Sequence, residues 1–160
     1  MKIIGHRGAL GLAPENTITG FKKALEYKIN LVEFDVRVTK DNVPIIHHDK
    51  TLSDRSGNKL SVKNSTYSQL KDHKADLTTL DETLAFFKGK LPLYIEVKPT
   101  VKIEPIIDIL KSYDHLYYLG SKSQKILLQL HSALPKIPKI VISPLSGIWA
   151  RRRAKQVGAK

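Results

Sequence analysis

Cysteine is absent from the 160 residues, which excludes disulfides and thiolate metal sites and leaves oxygen and imidazole to hold any bound metal. Long hydrophobic runs are absent too: nothing approaches the about 20 apolar residues of a membrane span. Met1-Lys2-Ile3-Ile4 leads straight into the first motif without a charged-then-apolar leader, so a cytosolic address is expected. Acid is missing from the C-terminal part. All 15 acidic residues lie at or before Asp114, where 18 Lys and Arg leave a balance of +3, so Lys122 to Lys160 supply the remaining +9 of the net +12. A purely cationic tail suits phosphate-bearing partners. Trp149 followed by Arg151, Arg152 and Arg153 reads as a peripheral anchor for an anionic membrane over residues 146–160, or as a solvated helix face. No recognised fold or interleaved aromatic stripe accompanies the charge, so specific nucleic-acid binding is not expected.

What is present is ordinary for one globular domain over residues 1–160, with 41% apolar and 26% charged residues. Strands and helices alternate. Lys2 to His6 reads as a short strand, and a helix capped near Asn16 carries Ile18, Phe21 and Leu25 on one stripe. Leu31 to Val38 alternates strictly, with Val32, Phe34, Val36 and Val38 on one face and Glu33, Asp35 and Arg37 on the other. Asp41-Asn42 marks a turn before a third strand, Val43 to His48, and the polar stretch from Asp49 to Ser65 reads as loop. Tyr67 to Lys71 suggests a short turn and Thr79 to Lys88 a helix. Pro92 to Lys98 repeats the alternation, placing Tyr94, Glu96 and Lys98 together. A helix around Ile103 to Tyr113, a strand near Leu116 to Gly120, a helix from Ser121 to about Leu134 and a strand over Lys139 to Ser143 complete six strands. This order implies a parallel α/β sheet, either open and doubly wound or a barrel.

The polar faces favour the barrel. Central strands of an open parallel sheet are buried on both faces and read as continuous apolar runs, whereas acids at alternate positions near strand C-termini suit the mouth of a (β/α) barrel. Glu33 and Asp35 are two residues apart on one face, about 6.5 Å between Cα atoms, and with Glu96 they make a hard-oxygen set favouring Mg²⁺ or Ca²⁺ over Zn²⁺. Pairing of these acids with Arg37 and Lys98 is the competing reading. His6 and His48 end strands one and three, and imidazoles titrating near neutrality suit an acid–base pair. Arg7 and Lys98 are candidate anion-binding groups. His47 points the other way and is assigned to packing.

These residues fall in five ordered blocks: Gly5-His6-Arg7-Gly8, Ala13-Pro14-Glu15-Asn16-Thr17, Glu33-Phe34-Asp35-Val36, His47-His48-Asp49 and Tyr94-Ile95-Glu96-Val97-Lys98. In order and spacing they resemble the signature of the glycerophosphodiester phosphodiesterase family. The resemblance implies a TIM-type barrel that hydrolyses small glycerophosphodiesters to glycerol 3-phosphate and an alcohol. It implies His6 and His48 as acid and base, Glu33, Asp35 and Glu96 as ligands of Mg²⁺ or Ca²⁺, and Arg7 and Lys98 as phosphate contacts. Glu15 and Asn16 match the loop block that follows strand one, with Asn16 as a cap of its helix.

Two departures from the family pattern shape further expectations. The stretch from Asp49 to Thr79 is short for the family. Six strands are counted where a barrel has eight, so a truncated reading frame is expected, or a second copy or another chain that completes the barrel. Two alternatives follow: a related lysolipid phosphodiesterase, or an inactive remnant that binds membrane or polyanion through its tail.

Overall fold

Strict alternation over Leu31–Val38 sets the architecture, because it gives one strand an apolar face for helices and a polar face for the opposite side. The computed structural model describes residues 3–54, 56–99, 102–142 and 147–159. Its strands are β1 (Ile4–Gly5), β2 (Leu31–Val38), β3 (Pro44–Ile46), β4 (Thr51–Ser53), β5 (Lys59–Ser61), β6 (Leu93–Val97), β7 (Tyr117–Ser121) and β8 (Lys139–Val141). Its helices are α1 (Ile18–Glu26), α2 (Tyr67–His73), α3 (Leu80–Phe87), α4 (Glu104–Lys111), α5 (Gln124–Ala133) and α6 (Gly147–Gln156).

The main sheet has six strands in the order β1-β2-β6-β7-β8, with β3 attached to β2. Five of them are parallel, each joined to the next along that path through at least one helix. The third strand departs from expectation: β3 pairs with β2 antiparallel, Val36 opposite Ile46 and Val38 opposite Pro44. Only a few residues around Asn42, at φ 65, join the two, far too few for the crossover that parallel pairing needs. The polar stretch after His48 also holds more than loop. β4 and β5 form a small antiparallel hairpin, and Ile45, Leu52, Val62, Leu70 and Leu77 make a separate minor core beneath it. Two three-residue strands with one buried side chain between them, Leu52, leave too little alternation to read from sequence.

The main core lies between the apolar face of the sheet and the helices. Phe21 of α1, Phe34 of β2 and Phe87 of α3 meet there, with ring centroids 5.7, 5.2 and 6.4 Å apart. These contacts fix α1 and α3 on the sheet and thereby fix the strand carrying Glu33 and Asp35. Two caps sharpen the helix ends. Thr79 and Glu82 form a reciprocal capping box on α3, and Thr17, not Asn16, caps α1 by accepting from Gly20 N at 3.0 Å. Asn16 is free for another task.

In the basic C-terminal segment, Arg153 donates to Gln124 and to the carbonyls of Lys122 and Ile142, which docks α6 on the sheet. The Trp149 side chain and Ser146 of the expected anchor lie outside the described residues. Among the described residues no helix is long and apolar enough to cross a membrane.

Removing the ring at the centre of the aromatic cluster leaves a cavity as well as lost burial. Phe87→Ala is expected to destabilise the chain by about 3–5 kcal/mol, read from the urea unfolding midpoint. A loss below about 1 kcal/mol would show that the cluster does not hold α3.

Candidate active site

The parallel register of β2 and β6 brings the acids together. Asp35 is opposite Glu96 and Glu33 opposite Tyr94, so three carboxylates on two adjacent strands share the polar face. Glu33, Asp35 and Glu96 are all buried, and one oxygen from each lies within 4.8 Å of the others. Such crowding is unfavourable in a low-dielectric interior, and burial together with the neighbouring Asp35 charge pushes the Glu33 carboxyl up to about 7.

The loop after β1 partly compensates. At Gly5-His6-Arg7-Gly8 the chain reverses through left-handed conformations, φ 50 at Arg7 and 89 at Gly8. A Cβ at Gly5 would sit 2.4 Å from the Gly8 carbonyl oxygen, and one at Gly8 would meet Phe21 at 3.0 Å, so both positions need glycine. The reversal aims the Arg7 backbone N–H at Glu33 Oε2, 2.8 Å, and the Gly8 N–H at the Glu33 carbonyl, 3.1 Å. His6 Nε2 lies 3.9 Å from Glu33 Oε2, its ring largely exposed.

Arg7 is held on both sides. Its Nη1 donates to both oxygens of Glu15, 3.1 and 3.0 Å, and its Nε lies 3.5 Å from Asp35 Oδ2. Glu15 thus orients the guanidinium. Asn16, buried and at φ 54, clamps Asp35 twice: its amide donates to Asp35 Oδ2 at 3.0 Å and its Oδ1 accepts from Asp35 N at 3.2 Å. Asparagine tolerates the left-handed conformation better than most residues, which was the one sequence signal for this role.

Directly after β6, Lys98 is buried with its Nζ 2.6 Å from Glu96 Oε1 and 2.7 Å from Asp35 Oδ1. The competing reading of the acids is therefore half right. Lys98 pairs with them, but Arg37 does not: its Nε donates to the His48 carbonyl at 2.8 Å. The His48 ring bonds Asp49 through Nδ1, 2.7 Å, so His48 joins the network by its backbone while its imidazole stays on the rim. His47 bonds the Thr51 carbonyl, in keeping with packing. Tyr94 escaped notice in the sequence, although alternation placed it beside Glu96. Its buried hydroxyl has no hydrogen-bond partner, and burial and the nearby carboxylates raise it above its usual range.

A divalent cation fits this set. Glu33 Oε1 is buried without a hydrogen-bond partner, and Asp35 Oδ1, though near Lys98, receives no aligned hydrogen bond. Buried acceptors left without donors are rare in folded proteins. The donors are all carboxylate oxygens, the chemistry suited to Mg²⁺ or Ca²⁺.

The chain is similar to known proteins along most of its length. The model of the glycerophosphoryl diester phosphodiesterase family matches residues 6–138. The Bacillus subtilis (strain 168) protein YhdW is 30% identical over 97% of this chain and 71% of its own length. A glycerophosphodiester phosphodiesterase of Bacillus altitudinis is 38% identical over 60% of this chain, which spans only 38% of that protein. Among solved structures, an Oleispira antarctica phosphodiesterase in complex with sn-glycerol-3-phosphate superposes with a TM-score of 0.85 at 22% identity, over 99% of this chain and 72% of that one. At that identity the likeness establishes the fold, a TIM-type (β/α) barrel. Among the described residues β1 and β8 end the path of paired strands.

The raised Glu33 carboxyl has a stability signature. Between its ordinary value of 4.5 and about 7 the folded chain holds a proton that the unfolded chain has lost, so stability falls as pH rises through that window. In EDTA the melting temperature is expected to drop more steeply from pH 5 to pH 8 than in Glu33→Gln, and Mg²⁺ or Ca²⁺ should restore it at pH 8. Equal slopes in the two proteins would exclude the protonated carboxyl.

Proposed function

The chain belongs to the glycerophosphoryl diester phosphodiesterase family, and on that premise we propose that it hydrolyses glycerophosphodiesters to glycerol 3-phosphate and an alcohol with a divalent cation at Glu33, Asp35 and Glu96. The observation that carries this reading is the buried three-carboxylate cluster, short of hydrogen-bond donors, on the polar face of adjacent parallel strands, with Asp35 and Glu96 one step before the C-terminal end of their ladder, the end at which barrel enzymes hold their active sites.

Bound there, Mg²⁺ or Ca²⁺ would draw off negative charge developing on a phosphoryl oxygen. The chain's own groups supply the rest. Arg7, oriented by Glu15, and Lys98, held between Asp35 and Glu96, present positive charge to the diester oxygens. One of His6 and His48 takes the proton from the attacking hydroxyl or water as the new P–O bond forms. The other donates a proton to the alkoxide as its bond to phosphorus breaks. His6 stands against Glu33 at the inner edge of the cluster and His48 on the rim beside Asp49, so the two rings approach from different loops. Asp49 is held below the usual carboxylate range chiefly by the hydrogen bond from His48, and as an anion it orients that ring.

Activity is expected to disappear with EDTA and return with Mg²⁺ or Ca²⁺, followed through release of glycerol 3-phosphate. His6→Ala and His48→Ala should each lower turnover by roughly 10²-fold or more. Full activity in either variant removes that histidine from the mechanism. Turnover of choline-bearing lysolipid with none of any glycerophosphodiester would replace this reading with a lysolipid phosphodiesterase.

A further inference from the structure

Beside the carboxylate cluster lies a cavity of about 720 Å³, within the size range of small-molecule sites. Five cationic side chains line it, Arg37, Lys40, Lys50, Lys63 and Lys102, and no acid does. Its apolar wall comes from Val38, Val62 and Pro99. One side is the C-terminal end of β2 and the residue after Lys98. The other is the inserted segment around β4 and β5.

Residues lining the cavity follow those of the site closely along the chain. Arg37 follows Asp35 by two residues on the same face of β2, a step of about 6.6 Å. Lys50 follows His48 by two, and Pro99 follows Lys98 directly. An alcohol leaving a diester held at Glu33, Asp35 and Glu96 would therefore leave on the side of this cavity.

Four of the five cations lack a paired acid among the described residues: Arg37, Lys40, Lys50 and Lys63 take part in no ion pair there. The acids next to Lys40 and Lys50 in sequence are engaged elsewhere: Asp41 accepts from the Thr39 hydroxyl and the Tyr67 N–H, and Asp49 is bound to His48. Cations facing one concave space focus a positive potential there and draw in anions. Such a wall repels a quaternary ammonium and attracts phosphate.

From this geometry we infer that the cavity is a subsite for an anionic leaving group, making glycerophosphodiesters whose alcohol carries a further phosphate the favoured substrates. The inference rests on the phosphodiesterase reading for its substrate, but the subsite can be tested without turnover.

The binding probe is myo-inositol 4-phosphate. The wild-type chain is expected to bind it in calorimetric titration, and Lys40→Gln/Lys63→Gln, whose altered side chains are exposed, should weaken binding about tenfold or more. Raising salt to about 1 M, where the Debye length falls to about 3 Å, should do likewise. No binding, or equal binding by the double variant, overturns the subsite.

Kinetics on glycerophosphoinositol 4-phosphate, glycerophosphoglycerol and glycerophosphocholine supply the second arm. The expected order of kcat/KM is phosphorylated, then neutral, then cationic. The double variant should lose about tenfold on the first, through KM, and stay within about twofold on the second. Turnover without that order overturns the substrate assignment and leaves the phosphodiesterase reading standing. No turnover of any of the three overturns both.

Discussion

Three carboxylates forced together in a buried strand pair are the constraint around which the rest of this molecule is arranged. The β2–β6 register sets Asp35 opposite Glu96, and the aromatic cluster of Phe21, Phe34 and Phe87 keeps β2 from shifting. A one-residue slip would bring apolar side chains to the polar face. The anions must then be answered locally, since burying unpaired charge is strongly unfavourable. The Arg7 N–H serves Glu33, Arg7 Nε and the Asn16 amide serve Asp35, and Lys98 serves both Asp35 and Glu96. They fall short, as the Glu33 oxygen without a donor shows. The donors that the chain supplies do not satisfy every oxygen of the cluster.

That deficit explains features which are unfavourable taken alone. Arg7 and Asn16 both adopt left-handed backbone conformations, at a cost of order 1 kcal/mol or more. Each is compensated by bonds that exist only in that conformation: the Arg7 N–H to Glu33 and the paired contacts of Asn16 to Asp35. The glycines flanking Arg7 let the loop lie directly on α1 and on itself. Local strain is exchanged for charge compensation, and the loop has one conformation that achieves it.

Much of this was legible in the sequence because strands advertise their faces. Alternation over Leu31–Val38 and Pro92–Lys98 placed Glu33, Asp35, Glu96 and Lys98 together, and the family resemblance carried by the five motif blocks was met by the comparisons. What failed to show were features set by tertiary geometry. Asn16 reads as a cap by residue type, yet the cap is Thr17 one position later and Asn16 faces Asp35. Arg37 reads as a partner for its neighbouring acids, yet it reaches across to the His48 carbonyl. The β3 strand carries no mark of its direction beyond a short turn. The β4–β5 hairpin is too brief for a period to register.

The layout also separates chemistry from selectivity. The groups assigned to chemistry, apart from His48 and its neighbour Asp49, stand on β2, on β6 or directly after it, or on the loop that follows β1, all anchored to the main core. Two of the four lysines around the adjoining cavity, Lys50 and Lys63, belong to the inserted segment around β4 and β5, which stands on a minor core of five buried side chains. A small core tolerates change in its exposed loops with little effect on the larger one. Replacing a lysine on the insert would alter which alcohol the mouth accepts without moving Glu33 relative to Glu96, because no contact in the carboxylate network runs through those lysines. Arg37 is the exception. It lines the cavity and also holds the backbone of His48, so it is the position at which selectivity and chemistry are physically coupled.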